Sequence, residues 1–301
     1  MNLHKEFRSF YCNNYPQDME QAIELFGIFG LLDVRLDTTK TTSELIVEHI
    51  FLHYDKHSKY LNAITGLNPN AKKILRAISI NDRKILSCFK KAHLGNIYGG
   101  IAVEVLTRSN IIAVEYSREE DKRKTKPKLK KAEARYRISD KLYILDPFVR
   151  FWFYCVYPFE QEIAKKDFTN ALEYFQEHQS HFGSFLFERL SKIMMKLHLK
   201  KQEIVALDSY WDAKTEIDIL VETRSGIVLG ECKWSKHTIS KNELNKLHEK
   251  AKELKIAPTE FVLFARRGFS KELYKLQGQQ LTLFSAKEFE LLIKRVPFDA
   301  K

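Results

Sequence analysis

Apolar positions recur at intervals of three and four over residues 1–65, in QDMEQAIELFGIFGLLD and again in TTSELIVEHIFLHYDKHSKYL. Acids in the first turn of one stretch, and a Thr/Ser cap ahead of Glu44 in the other, predict a helical N-terminal region. Between 66 and 140 the rhythm changes. Three short helical patterns, PNAKKILRAIS, NDRKILSCFKKA and NIYGGIAVEVLTRSN, precede two strand patterns, IIAVEY and ARYRIS. Three helices followed by a hairpin predict a winged helix-turn-helix over 66–140. Residues 141–175 hold DPFVRFWFYCVYPF, where Phe148, Phe151, Trp152, Phe153 and Tyr157 fall at helical spacing. Clustered aromatics of this kind are core far more often than base-stacking platforms, so a packed linker helix is expected.

From 176 to 301 strand and helix patterns alternate. An amphipathic helix over GSFLFERLSKIMMKL leads to a strand in EIVALDSYWD and a hairpin in EIDILVETRSGIVLGECKW. A helix in SKNELNKLHEKAKELK, strands in EFVLFARRG and LTLFSA, and a closing helix in KEFELLIKR complete the domain. Helices on both sides of a mixed sheet bury both strand faces, and the expected class is α/β, with the helical region and winged helix in front.

The hairpin carries the chemistry. Side chains alternate along a strand, so Glu231 and Lys233 share a face while Cys232 points into the other layer. Asp218 joins the pair from the neighbouring strand if the register permits. Hard cations such as Mg²⁺ or Mn²⁺ take oxygen ligands, which Asp218, Glu231 and the Cys232 carbonyl offer. A metal held there polarises a phosphoryl oxygen and acidifies a bound water, and Lys233 beside it orients that water. The competing reading is an edge hairpin on which Glu231 and Lys233 are simply an ion pair.

Composition points toward a polyanionic partner. The 301 residues include 50 Lys plus Arg and carry a net charge of +11. Charge alone does not separate nucleic acid from an anionic membrane; together with the hairpin's phosphodiester chemistry it makes DNA the expected partner, with RNA second. The lysine-rich SREEDKRKTKPKLKKAE lies where the wing of the helix-turn-helix belongs. Its Lys122, Arg123, Lys124, Lys126, Lys128, Lys130 and Lys131 are candidate phosphate contacts, the alternative being a solvated loop. The third helix of that domain is poorly equipped to read bases: it offers Arg108 alone as a cation and contains Glu104 and two early glycines. The winged helix therefore serves backbone contact or protein contact, and both stay open.

Other motifs narrow the class. GNIYGGIA has phosphate-loop glycine spacing but puts Ile101 and Ala102 where a lysine and a hydroxyl belong, so no ATP hydrolysis is expected from this chain alone. His49, His53 and His57 recur every four residues without an acidic or cysteine partner at ligand spacing, and ordinary boundary histidines are expected. Cys12, Cys88, Cys155 and Cys232 form neither a zinc spacing nor a redox pair. The most apolar stretch, 145–159, contains Arg150 and is too short to span a bilayer, and the start lacks a signal peptide's apolar block. A cytoplasmic protein without membrane contact is expected.

Asp218, Glu231 and Lys233 in EIDIL and GECKW resemble the site of the PD-(D/E)xK, or restriction-endonuclease-like, nuclease superfamily. That resemblance implies a supporting acid on the helix before the hairpin, at Glu188. The ordered combination of DPFVRFWF, EIDIL and GECKW over residues 69–270 is similar to the C-terminal domain of unknown function of archaeal-type ATPases. There the resemblance implies a preceding winged helix and P-loop module. The P-loop module is missing here, so an ATP-coupled role would need a separate ATPase or protein partner. The function expected is a metal-dependent DNA nuclease. The alternative is a catalytically inactive nucleic-acid-binding or regulatory interaction protein.

Overall fold

The computed structural model describes residues 2–66, 68–80, 82–119, 138–278 and 280–294. The chain divides into two compact units, one of residues 25–179 and one of residues 2–24 together with 180–301.

The first unit takes in the end of α2 (Met19–Phe29), α3 (Thr42–Ile46) running into a π-helical turn at Val47–Phe51, and α4 (Tyr54–Ile64). Then come α5 (Pro69–Ile80), α6 (Ile85–Lys91), α7 (Asn96–Arg108), β1 (Ile112–Glu115) and β2 (Lys141–Ile144). It closes with α8 (Pro147–Phe151), a second π-helical turn at Trp152–Val156, α9 (Glu160–Ala164) and α10 (Thr169–His198) as far as Gln179. Thr41 and Glu44 form a reciprocal capping box that starts α3. Asp146 caps α8 by accepting the Phe148 N–H at 2.8 Å, with Pro147 in the first turn, where its missing N–H costs nothing.

The aromatic stretch is core, as expected of it. Phe148, Phe151, Trp152 and Phe153 are buried, Phe148 and Trp152 against His57 and Phe151 against Phe175. A π-helical turn shifts the carbonyl ladder, and Arg76 donates from one guanidinium nitrogen to the carbonyls of Phe153 and Tyr154. β1 pairs antiparallel with β2 from Ile112↔Ile144 to Glu115↔Lys141. The partner strand of β1 is thus KLYI, because Leu142 and Ile144 bury completely beside Ile112. Most of ARYRIS lies outside the described residues, and its Ile138 and Ser139 are not in a strand.

The second unit contains α1 (Leu3–Asn14), the start of α2 and α10 from Ser180. Its sheet runs in the order β3 (Ile204–Trp211), β4 (Glu216–Thr223), β5 (Gly226–Lys233), β6 (Glu260–Ala265), β7 (Leu281–Ser285). The first three strands are antiparallel neighbours and the last three parallel. α11 (Lys241–Glu253) and α12 (Lys271–Leu276) make the two parallel crossovers, and a 3₁₀ stretch, Ala286–Leu292, follows β7. β6 reads as an unbroken apolar run, FVLFA, because it is central and covered on both faces.

Register sorts the side chains. Leu220, Leu229, Phe261 and Leu281 stand in one cross-strand row, packed with Leu244 and Leu247 of α11. Burial of each such side chain contributes roughly 2 kcal/mol. On the other face Phe187 of α10 stacks on Phe289 and touches Trp234. α10 has a glycine at 183 because a Cβ there would sit 2.0 Å from the Trp234 indole nitrogen.

Candidate functional site

The two-residue turn at Arg224–Ser225 sets the hairpin in the register Thr223↔Gly226 through Ile219↔Gly230. The ladder stops there, and the β3 pairing shifts between Asp208↔Leu220 and Tyr210↔Ile217, so Asp218 falls at a bulge at the open end of the hairpin, while Glu231 and Lys233 share the α11 face with Leu229. Instead of continuing the ladder, the Asp218 carboxylate accepts the Cys232 backbone N–H at 2.9 Å. The N–H and C=O of a strand residue leave by the same edge. The Lys233 carbonyl accepts the Arg266 N–H at 3.0 Å on the β6 side, so the Cys232 carbonyl faces β4 and Asp218.

Glu231 is the most enclosed member, its side chain only 8% exposed. Lys233 lies 2.6 Å from its Oε1 and Lys250 2.7 Å from its Oε2. Glu243 stands 3.7 Å from Lys233 and 2.6 Å from Lys246. Glu243 and Lys250 flank Leu247 along α11, so the helix that seals the apolar layer also brings an acid and a base to its polar edge. Glu188 lies on α10, with its Oε1 3.7 Å from Lys192 and 3.4 Å from the Ser209 hydroxyl. That hydroxyl accepts from Lys192 at 2.7 Å and lies 3.0 Å from the Asp218 carbonyl.

Asp218 has no ion-pair partner at contact distance among the described residues. Its carboxyl is pushed up to about 7, first by burial and then by the negative charges of Glu231 and Glu188. Burial opposes the charge on Lys233, but Glu231, Asp218 and Glu243 together hold its pKa above the usual value. The Cys232 thiol points into the opposite layer, and burial, followed by the Asp218 charge, raises it well above the ordinary range. A thiol in that state is neither nucleophile nor metal ligand.

Asp218, Glu231 and Lys233 are therefore brought into one electrostatic cluster, and Glu188 reaches it through its charge on Asp218. Lys122, Arg123, Lys124, Lys126, Lys128, Lys130 and Lys131 lie outside the described residues. The three histidines do not form a common face. The π-helical turn breaks their spacing, and His57 turns inward to bond the His49 carbonyl at 2.9 Å. From the sequence, Lys250, like His237 and Lys246, is a residue that could approach a phosphate backbone or equally lie on a solvated face, while Glu243 and Lys192 are not singled out. Their signal was only the helical offset from a core leucine or, for Lys192, from Glu188. Among the described residues no group of three or more His, Cys, Asp or Glu side chains is arranged to hold a metal ion.

A mixed five-stranded sheet with an acid and lysine cluster where its central hairpin opens defines the class of domain. Residues 152–247 match the family DUF234, described as archaea bacterial proteins of unknown function. That segment includes Glu188, Asp218, Glu231, Lys233 and Glu243 but stops short of Lys250. No curated protein matches the chain. Among solved structures, the crystal structure of protein VC1899 from Vibrio cholerae aligns at 12% identity and a TM-score of 0.27, over 78% of this chain and 54% of its own. The chain thus spans about half the length of that protein. No helix among the described residues is long and apolar enough to cross a membrane.

Proposed function

We propose that the chain is a metal-dependent DNA nuclease. The observation that carries this reading is Asp218: a half-buried carboxylate under the charges of Glu231 and Glu188, with no ion pair at contact distance among the described residues and the charge of Lys233 only partly offsetting theirs. Acids so placed call for a positive partner. Asp218, Glu231 and the Cys232 carbonyl would hold Mg²⁺ or Mn²⁺, all three offering the oxygen donors such ions prefer. The metal supplies Lewis acidity and an acidified water. Lys233, held protonated by three acids, orients that water and offsets charge developing on the phosphate. Glu188 supports Asp218 through its charge, and Lys192 and Ser209 fix where Glu188 sits. The lysines between 122 and 131 hold the duplex backbone.

A second reading, a nucleic-acid-binding or regulatory protein without turnover, is favoured by two features. Both Glu231 oxygens are occupied by lysines. The outer face of α7 is apolar, with Ile97, Tyr98, Ile101 and Val105 exposed and Arg108 paired to Glu104 at 2.6 Å. The two readings separate in one assay: Mg²⁺- or Mn²⁺-dependent cleavage of plasmid, single-stranded DNA and RNA by the parent, Asp218→Ala and Lys233→Ala. Cleavage by the parent alone supports the nuclease. Cleavage that survives in both variants removes the assigned site, and binding with no cleavage by the parent favours the second reading.

A further inference from the structure

Glu231 is claimed from both sides, and the two claimants differ in what they could fall back on. Lys233 has a second acid, Glu243, 3.7 Å away. Among the described residues Lys250 is paired with Glu231 alone, at 2.7 Å, and approaches from α11 rather than from the sheet. A divalent cation drawn to a Glu231 oxygen would meet two ammonium groups within a few ångströms in a partly enclosed site, where like charges repel far more strongly than in water. Lys233 can relax toward Glu243. Lys250 must give up its carboxylate, and its stem, anchored in the turn that places Leu247 and Ala251 in the core, limits where it can go.

Building on the nuclease reading, we infer that Lys250 is a positioning residue that competes with the metal for Glu231. It keeps the site closed in the metal-free protein and is released when the site loads. Once released, its ammonium stands at the rim of the same face, where a phosphate of bound nucleic acid can take the place of Glu231.

The test is Mn²⁺ binding by the full chain, followed by the paramagnetic resonance of free Mn²⁺ with no nucleic acid present. Lys250→Met keeps the apolar stem and removes the charge. It should bind Mn²⁺ about tenfold tighter than the parent, equivalent to the loss of one partly buried competing ion pair. Lys250→Arg, which keeps the charge and can pair with a carboxylate, should stay at parental affinity or weaker. Lys252→Met, an exposed lysine of the same helix, should change affinity by less than about twofold, as expected of screened surface charge. Lys250→Gln provides a second neutral variant should the methionine misfold. A purely structural role predicts looser binding, the opposite sign. Parental Mn²⁺ affinity in both neutral variants, in a protein that itself binds Mn²⁺, overturns the role of Lys250 and leaves the nuclease reading standing. Absence of Mn²⁺ binding in the parent and in both neutral variants overturns both.

Discussion

Arg266 donates from Nε to the Glu20 carboxylate at 2.8 Å, joining residues 246 positions apart in the chain. The same guanidinium reaches Glu24 at 2.8 Å and lies over the Trp234 ring at 4.8 Å, while Arg267 takes the other Glu20 oxygen at 3.2 Å. Trp234 follows Lys233 directly, so the start of α2 is fastened to the strand end that carries the cluster. The Glu24 carboxyl is raised, first by burial and against the pull of Arg266. Arg266→Ala would leave Glu24 partly buried without its cation and Glu20 with Arg267 alone. Removal of one partner from such a network costs on the order of 3 kcal/mol. Urea unfolding should show that loss, with Arg266→Lys intermediate, because a lysine cannot span both carboxylates. A change under about 0.5 kcal/mol would mean that the network contributes nothing net.

Asp218 sets a pH dependence. Its folded pKa of about 7 lies above the ordinary value of 3.8, so the folded state resists ionisation. Stability attributable to this group is therefore greatest below pH 4 and falls as pH rises toward 7, by at most about 4 kcal/mol. Asp218→Asn should match the parent near pH 4 and exceed it in stability at pH 8. For a divalent ion the sign is reversed, since the proton must leave before the metal binds. Mn²⁺ affinity should rise by up to about tenfold per pH unit below 7 and level off above it. A flat profile from pH 5 to 8 would remove the raised Asp218 carboxyl as its cause.

Lys233 and Glu243 should separate chemistry from binding. Lys233→Met removes the ammonium that would orient the water but relieves positive charge beside the metal ligands. Turnover should therefore fall by about 10²-fold or more while Mn²⁺ affinity holds or increases. Glu243→Gln, which alters a neighbour of Lys233 rather than any reacting group, should cost less than about tenfold in turnover. Single-turnover cleavage at saturating Mn²⁺ measures both. Equal losses in affinity and rate for Lys233→Met would assign it a structural role only.

Local periodicity made the hairpin legible. The alternation in IVLGECKW sets Glu231 and Lys233 on one face, and the hairpin register as far as Ile219↔Gly230 brings Asp218 to the same open end, where a bulge rather than alternation orients it. Cys232 likewise followed from parity. What lay beyond reach came from contacts that pattern does not encode. Glu243 reads as an ordinary polar position on an amphipathic helix, and Lys250 as a phosphate contact or a solvated lysine, until α11 crosses the sheet and brings both to Glu231 and Lys233. Glu20 and Arg266 lie too far apart in sequence for any local signal. Pattern alone does not choose the partner of β1, since ARYRIS, most of which lies outside the described residues, alternates apolar and polar positions. KLYI, with Leu142 and Ile144 alternating just as well, pairs instead because those two bury against the α5 side of the unit.

The lysine-rich stretch 122–131 and α7 offer the last separable pair. If the basic stretch holds backbone phosphates, replacing Lys128, Lys130 and Lys131 by alanine should weaken duplex binding for every sequence alike. The slope of log K against log salt should also become shallower by about one for each phosphate no longer neutralised. α7 presents Ile101 and Val105 where a base-reading helix needs donors, and its Arg108 is engaged by Glu104. Ile101→Ser with Val105→Ser should therefore leave both DNA affinity and salt slope within about twofold of the parent. Fluorescence anisotropy on a labelled duplex at several salt concentrations measures both sets. If the α7 pair weakens binding in a sequence-dependent way while the lysine triple does not, base readout belongs to α7 and the basic stretch is a solvated tether.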